Sequence, residues 1–133
     1  MYSASSQVTE FEVETRVGST KVLTVHTEKL MLSPFFDRLM EISRTFEADV
    51  RHLDLRYLET YISFLYTRTL ATSTAGADND PAALRDETAL LGQLYRFGFQ
   101  MNDPQFRNAI LDAIIEISYL KDKKTGEIGR AHV

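Results

Sequence analysis

The sequence predicts an α+β fold, with strands gathered near the N-terminus and helices filling the remainder. Three observations predict it. Residues 10–17 alternate strictly, with Phe11, Val13, Thr15 and Val17 on one face and Glu10, Glu12, Glu14 and Arg16 on the other. All 3 prolines follow a helix-capping residue, in Ser33-Pro34, Asp80-Pro81 and Asp103-Pro104. Phe106, Ala109, Ile110, Ala113, Ile114, Ile117 and Leu120 recur at helical spacing.

Taken in order, residues 1–9 are polar and Ser-rich and read as a flexible leader. The alternation that follows is a half-buried strand with a solvated outer face. Gly18-Ser19 puts glycine at the first central position of a tight hairpin turn. Residues 21–26 resume as a second strand rich in β-branched side chains (Val22, Thr24, Val25). Each Ser/Asp-Pro pair marks a helix start, because Ser or Asp accepts the free amides of a first turn and Pro lacks only an unneeded donor. Residues 48–55, with Val50, Leu53 and Leu55, read as a short strand. Residues 56–66 carry Leu58, Tyr61, Ile62 and Leu65 at helical spacing. Residues 69–80 are small, polar and aperiodic, so they form a loop. Residues 84–99 have apolar side chains on more than one face, and the late stripe is backed by a narrower line, Leu111 and Ile115. From Lys121 the chain is charged and shows no stripe. The expected organisation is a leader (1–9), one domain (10–120) and a charged tail (121–133).

Composition narrows the function. The chain has 133 residues, 44% hydrophobic and 26% charged, which suits one globular domain. It holds no Cys, excluding a disulfide framework, a thiolate metal site and a Cys nucleophile. A net charge of -4 with scattered Lys and Arg argues against a nucleic-acid surface. No apolar run is long enough for a membrane span or a signal-peptide core. The expectation is a soluble intracellular domain, cytoplasmic or nuclear.

Sites for chemistry are scarce in the pattern. None of His26, His52 and His132 has a second His or a carboxylate at metal-ligand spacing, so no metal site is expected. The Glu10/Glu12/Glu14 series is explained by a solvent-facing strand and Asp78/Asp80 by a polar loop. Neither G-x-S-x-G, G-x-G-x-x-G nor a P-loop occurs. No catalytic residue, cofactor or small-molecule substrate is expected, and the chain reads as a non-enzyme. The alternative is a small enzyme or ligand-binding α+β domain whose site the sequence does not reveal.

Specific residues then say more than composition. Val25-His26, Leu30 and Ser33-Pro34-Phe35-Phe36 resemble the V-H-x-x-x-L…S-P-F-F signature of the BTB/POZ domain family. Phe64-Leu65-Tyr66-Thr67-Arg68-Thr69-Leu70 is similar to that family's F-L-Y-T-G-x-L segment. Residues 91–95 and the run from Phe106 through Asn108 to Asp112 resemble its later helical pair as fungal members write it. The resemblance covers about residues 10–120. It implies a small three-stranded sheet flanked by helical hairpins. It also departs from the family: Thr27 follows His26 in place of a basic residue, Arg68 replaces a Gly, and Glu12 stands where dimeric members carry Asp. Only nine residues precede the first strand, so the subunit-swapped dimer of transcription-regulator members is not expected.

By resemblance, the function is a non-catalytic protein–protein interaction module. It would either self-associate or act as an adaptor to a cullin-type scaffold of a ubiquitin ligase. The candidate partner surface combines Met40, Glu41, Ile42, Phe46 and Glu47 with the second face of the last helix, Leu111 and Ile115.

Overall fold

The computed structural model describes residues 7–42, 46–70 and 81–130. Its elements run β1 (Val8–Glu14), β2 (Thr20–His26), α1 (Thr27–Leu30), α2 (Pro34–Ile42), α3 (Phe46–Arg51), α4 (Leu55–Thr67), α5 (Pro81–Gln100) and α6 (Pro104–Arg130). The α+β class is therefore observed. Residues 1–6 of the expected leader, most of the expected loop (71–80, including Asp80) and residues 131–133 lie outside the described residues.

β1 and β2 form an antiparallel hairpin in the register Val8 to His26 through Glu14 to Thr20. Its inner face presents Phe11, Val13 and Val25, all buried, with Leu23 packed beside them; the three glutamates face outward. The turn differs from the expected two-residue form. Gly18 N–H donates to Thr15 O (3.1 Å) and Thr15 N–H to Ser19 O (2.8 Å), so Arg16 and Val17 are the central residues. Gly18 follows them at φ +84°, a conformation that costs glycine little. Val17, expected to face inward, is consequently 88% exposed.

The expected strand at residues 48–55 is corrected. This segment forms the end of α3, a turn and the start of α4, and the sheet among the described residues has two strands. Phe46, Val50 and Leu53 are spaced four and three apart, a helical period, and Val50 and Leu53 are buried. Val50, Leu53 and Leu55, the basis of the expected strand, do not keep a period of two throughout, and the first two fit the helical period once Phe46 is counted. Asp54 then caps α4 by accepting the Arg56 N–H at 3.0 Å.

The helix starts at Pro34, Pro81 and Pro104 fall where the sequence placed them. α5 ends in a Schellman turn: Asp103 N–H donates to Gly98 O (3.1 Å) and Asn102 N–H to Phe99 O (3.0 Å), with Asn102 at φ 52°. This short reversal folds α6 back along α5. Gly98 of α5 packs against α6, where a Cβ would stand 2.6 Å from Arg107 Cγ and 3.2 Å from Phe106 Cδ2. Gly98→Ala is expected to lose about 1 kcal/mol in urea denaturation, overpacking outweighing the gain in helix propensity. α6 continues to Arg130, so the segment expected as a tail beyond Lys121 has a helical backbone.

Two aromatic groups fill the core. Phe36, fully buried, lies 5.7 Å from the ring of Phe11 and 6.2 Å from that of Phe46, tying α2, β1 and α3. Tyr61 and Phe64 of α4 meet Phe106 of α6 at 4.9 and 5.2 Å, and Tyr61 also meets Phe97 of α5 at 5.9 Å.

Candidate interaction surface

The residues that carry the sequence signature meet across the fold. At the end of β2, the His26 backbone N–H donates to the Tyr66 hydroxyl at 2.8 Å. The same oxygen lies 2.6 Å from His26 Nδ1, within hydrogen-bond distance of the ring. Val25 and Leu30, beside His26, and Leu65, beside Tyr66, are buried. Pro34 opens α2, Phe35 is half-buried and Phe36 is buried. Arg68, which departs from the Gly of the resembled motif, adopts φ 58° and closes α4 by donating its N–H to Phe64 O at 2.7 Å. That left-handed position explains why Gly suits it. Here the Arg68 guanidinium lies 4.8 Å over the Phe64 ring and donates to Gln105 Oε1.

Beneath these residues sits a buried polar triad. Tyr61 Oη lies 2.6 Å from Ser33 Oγ and 2.8 Å from Asp103 Oδ2. The phenol has one proton, which goes to the carboxylate as the stronger acceptor; the Ser33 hydroxyl donates to the phenolic oxygen. Ser33 Oγ also accepts from Phe36 N–H (3.4 Å), and Asp103 Oδ1 accepts from Gln105 and Phe106 N–H (3.1 Å each). Tyr61 thus joins the N-caps of α2 and α6. Ser33, Tyr61 and Asp103 are all buried.

Burial pushes the Tyr61 hydroxyl well above the ordinary tyrosine value, and donation to Asp103 adds to the shift. A folded-state value raised above the unfolded one gives stability that is complete below about pH 10 and declines above it by about 1.4 kcal/mol per pH unit. In an alkaline titration followed by phenolate absorbance, one of the 6 tyrosines is expected to ionise only as the fold is lost.

The expected partner surface divides into buried and exposed parts. Met40 is half-buried against the core. Phe46 is half-buried too, its ring 5.8 Å from Phe11. Both act mainly as packing residues. Glu41 and Ile42 are exposed. Glu47 lies in α3, its side chain outside the described residues. Leu111 and Ile115 are exposed on α6, as are Asn108 and Asp112. Among the described residues no hydrogen bond, ion pair or ring contact joins the Met40–Phe46 region to the Leu111–Ile115 line. The structure extends that line by Tyr119, missed in the sequence although it lies four residues beyond Ile115. Leu111, Ile115 and Tyr119 are 39%, 64% and 69% exposed, one apolar row along the solvent side of α6.

A second feature is an open groove of about 590 Å³ between the hairpin turn and the α3–α4 junction. Arg16, Arg51, His52, Asp54, Arg56 and Glu59 line much of it. Its charges largely pair: Arg51 lies 3.7 Å from Glu12 and 3.6 Å from Glu14, His52 3.8 Å from Glu14, and Lys21 2.8 Å from Glu59. The Arg51 and Lys21 pairs are about half exposed, His52 more so, and each contributes little to stability. The groove offers alternating charges to a polar ligand. Among the described residues no group of three His, Asp or Glu is placed to hold a metal, and no helix is long and apolar enough to cross a membrane.

No protein-family model matches the chain, and neither the curated proteins nor the solved structures give a significant match.

Proposed function

We propose that this chain is a non-catalytic protein–protein interaction module of the BTB/POZ type, acting inside the cell by self-association or as an adaptor. The observation that carries the reading is the apolar row Leu111, Ile115 and Tyr119, held open to solvent on a long helix. Large apolar side chains lined up on one exposed face favour a protein contact. The His26–Tyr66 bond supports the family part, because it couples the V-H and F-L-Y-T segments into one unit.

The finer fold reading belongs to the same proposal. A BTB/POZ-like three-stranded sheet needs a strand to add to the hairpin, and α3 occupies the expected segment.

The adaptor form is tested by pull-down with a cullin N-terminal region. Ile42→Asp is the suitable variant, since Ile42 is exposed, whereas Phe46→Ala would also disturb the Phe11 contact. Loss of capture with Ile42→Asp supports the adaptor form; no capture by the unmutated chain ends it.

The charged groove favours a second reading, a domain that binds a small polar ligand. Fragment screening by NMR tests it: shifts confined to Arg51, His52 and Arg56 support it, and no shift in the groove removes it.

A further inference from the structure

We propose that the outer edge of β2 binds an extended, basic segment of another protein, which adds to the hairpin as a further strand. This edge is separate from the α6 row and needs no contact there.

The direction of the backbone groups defines the edge. Thr15 N–H donates to Ser19 O at 2.8 Å, and Thr27 N–H donates to Gln7 O at 3.0 Å. In an antiparallel pair such bonded positions alternate with unbonded ones. In this register Lys21, Leu23 and Val25 therefore turn their N–H and C=O groups toward β1. Thr20, Val22, Thr24 and His26 turn theirs away. His26 shows this directly, because its N–H donates to the Tyr66 hydroxyl at 2.8 Å. Thr20, Val22 and Thr24 are exposed, and no hydrogen bond among the described residues takes their outward main-chain groups. β1 offers no equal edge, since α3 lies beside it and meets both of its faces. Phe46 lies 5.8 Å from Phe11 on one, and Arg51 lies 3.7 Å from Glu12 on the other.

Unpaired strand groups select an extended backbone, because only that conformation presents donors and acceptors at the matching repeat. The sheet face selects its charge. Glu10, Glu12 and Glu14 form an exposed row on β1, opposite Thr24, Val22 and Thr20 of β2. Arg51 reaches Glu12 and Glu14, and Glu10 has no ion pair among the described residues. A strand added to β2 lies about 10 Å from β1, two strand spacings away. Its Lys or Arg side chains, passing over the short Thr20, Val22 and Thr24, reach that carboxylate row. A second copy of the hairpin offers the same carboxylates in place of cations, so the occupant is a different chain.

The test is an NMR titration with a peptide alternating Lys and Val, against a peptide of equal length alternating Glu and Val. The Lys peptide is expected to shift the Thr20, Val22 and Thr24 amides, and the Glu peptide to bind at least about threefold more weakly. N-methylation of the Lys peptide at alternate residues is expected to abolish binding in one phase and spare it in the other, since only alternate amides face β2. Val22→Pro removes one outward donor at an edge position that tolerates Pro, and is expected to weaken binding by about tenfold. Glu10→Lys leaves the edge intact and is expected to weaken it by about threefold. Circular dichroism checks that both variants keep the fold. Absence of shifts at these amides, equal binding of the two peptides, indifference to Val22→Pro or equal effects of the two methylation phases each overturn the inference. Shifts at these amides that depend on protein concentration alone, the mark of a second copy, overturn it too. None of these variants touches the α6 row, so failure here leaves the interaction reading to its own test.

Discussion

Replacing Asp103 with Ala is expected to lower stability by about 3 kcal/mol in urea denaturation followed by circular dichroism. Two losses combine. The carboxylate accepts two amides in the first turn of α6, and losing such a cap costs about 1–2 kcal/mol. The same substitution removes the carboxylate acceptor of Tyr61 in a fully buried position, leaving three polar partners to satisfy one another with one bond fewer, at about 1–3 kcal/mol. Asp103→Asn separates charge from bonding. Its oxygen keeps the cap, its amide donates to Tyr61 Oη, and the phenolic proton turns to Ser33 Oγ. That variant is expected to lose only about 1 kcal/mol. In a Tyr61→Phe background the second loss has already occurred, so Asp103→Ala should there cost the cap alone. A coupling near zero between positions 61 and 103 would show that the triad does not operate in solution.

Phe106→Ala is expected to cost about 4 kcal/mol, the largest effect of any single substitution proposed for this chain. Phe106 has no exposed surface and packs edge-on against Tyr61 and Phe64. Truncation removes the transfer free energy of the ring and leaves a cavity between α4 and α6. It also removes two aromatic contacts worth about 0.5–1.5 kcal/mol each beyond their burial. The melting temperature should fall by roughly 10–20 °C. Phe106→Leu, which refills most of the volume, is expected to recover more than half of the loss. Equal effects of Leu and Ala would mean that the site does not pack as described.

These two predictions rest on residues of unequal visibility in the sequence. Phe106 belongs to a stripe whose helical period is plain, and its burial follows from that period. Asp103 was legible as a helix cap before Pro104. Its link to Tyr61 was not, since 42 residues separate the two and no local pattern encodes the pairing. The hydroxyl of Tyr66 needed a partner on chemical grounds, but only the fold shows that both bonds go to His26. Within the candidate surface, Leu111 and Ile115 were legible as a second apolar line. Met40 and Phe46 carry the same apolar signal, yet they pack against the core. Hydrophobicity says that a side chain prefers cover; it does not say whether its own chain or another provides it.

The sequence by itself determined the features that depend on near neighbours. Alternation sets the hairpin's inner face, the three Pro pairs set the starts of α2, α5 and α6, and the late stripe sets the buried side of α6. Backbone geometry and capping act within a few residues, so a linear pattern records them. Tertiary structure decided what competes or converges over distance. It made residues 46–51 a helix against β1, moved Gly18 to the last position of its turn, and brought Ser33, Tyr61 and Asp103 to one buried point. It also left Leu111, Ile115 and Tyr119 outside while covering the opposite face of the same helix with α5. The reason is that burial is shared: which apolar face is covered depends on where the other helices lie, and that arrangement is a property of the whole chain.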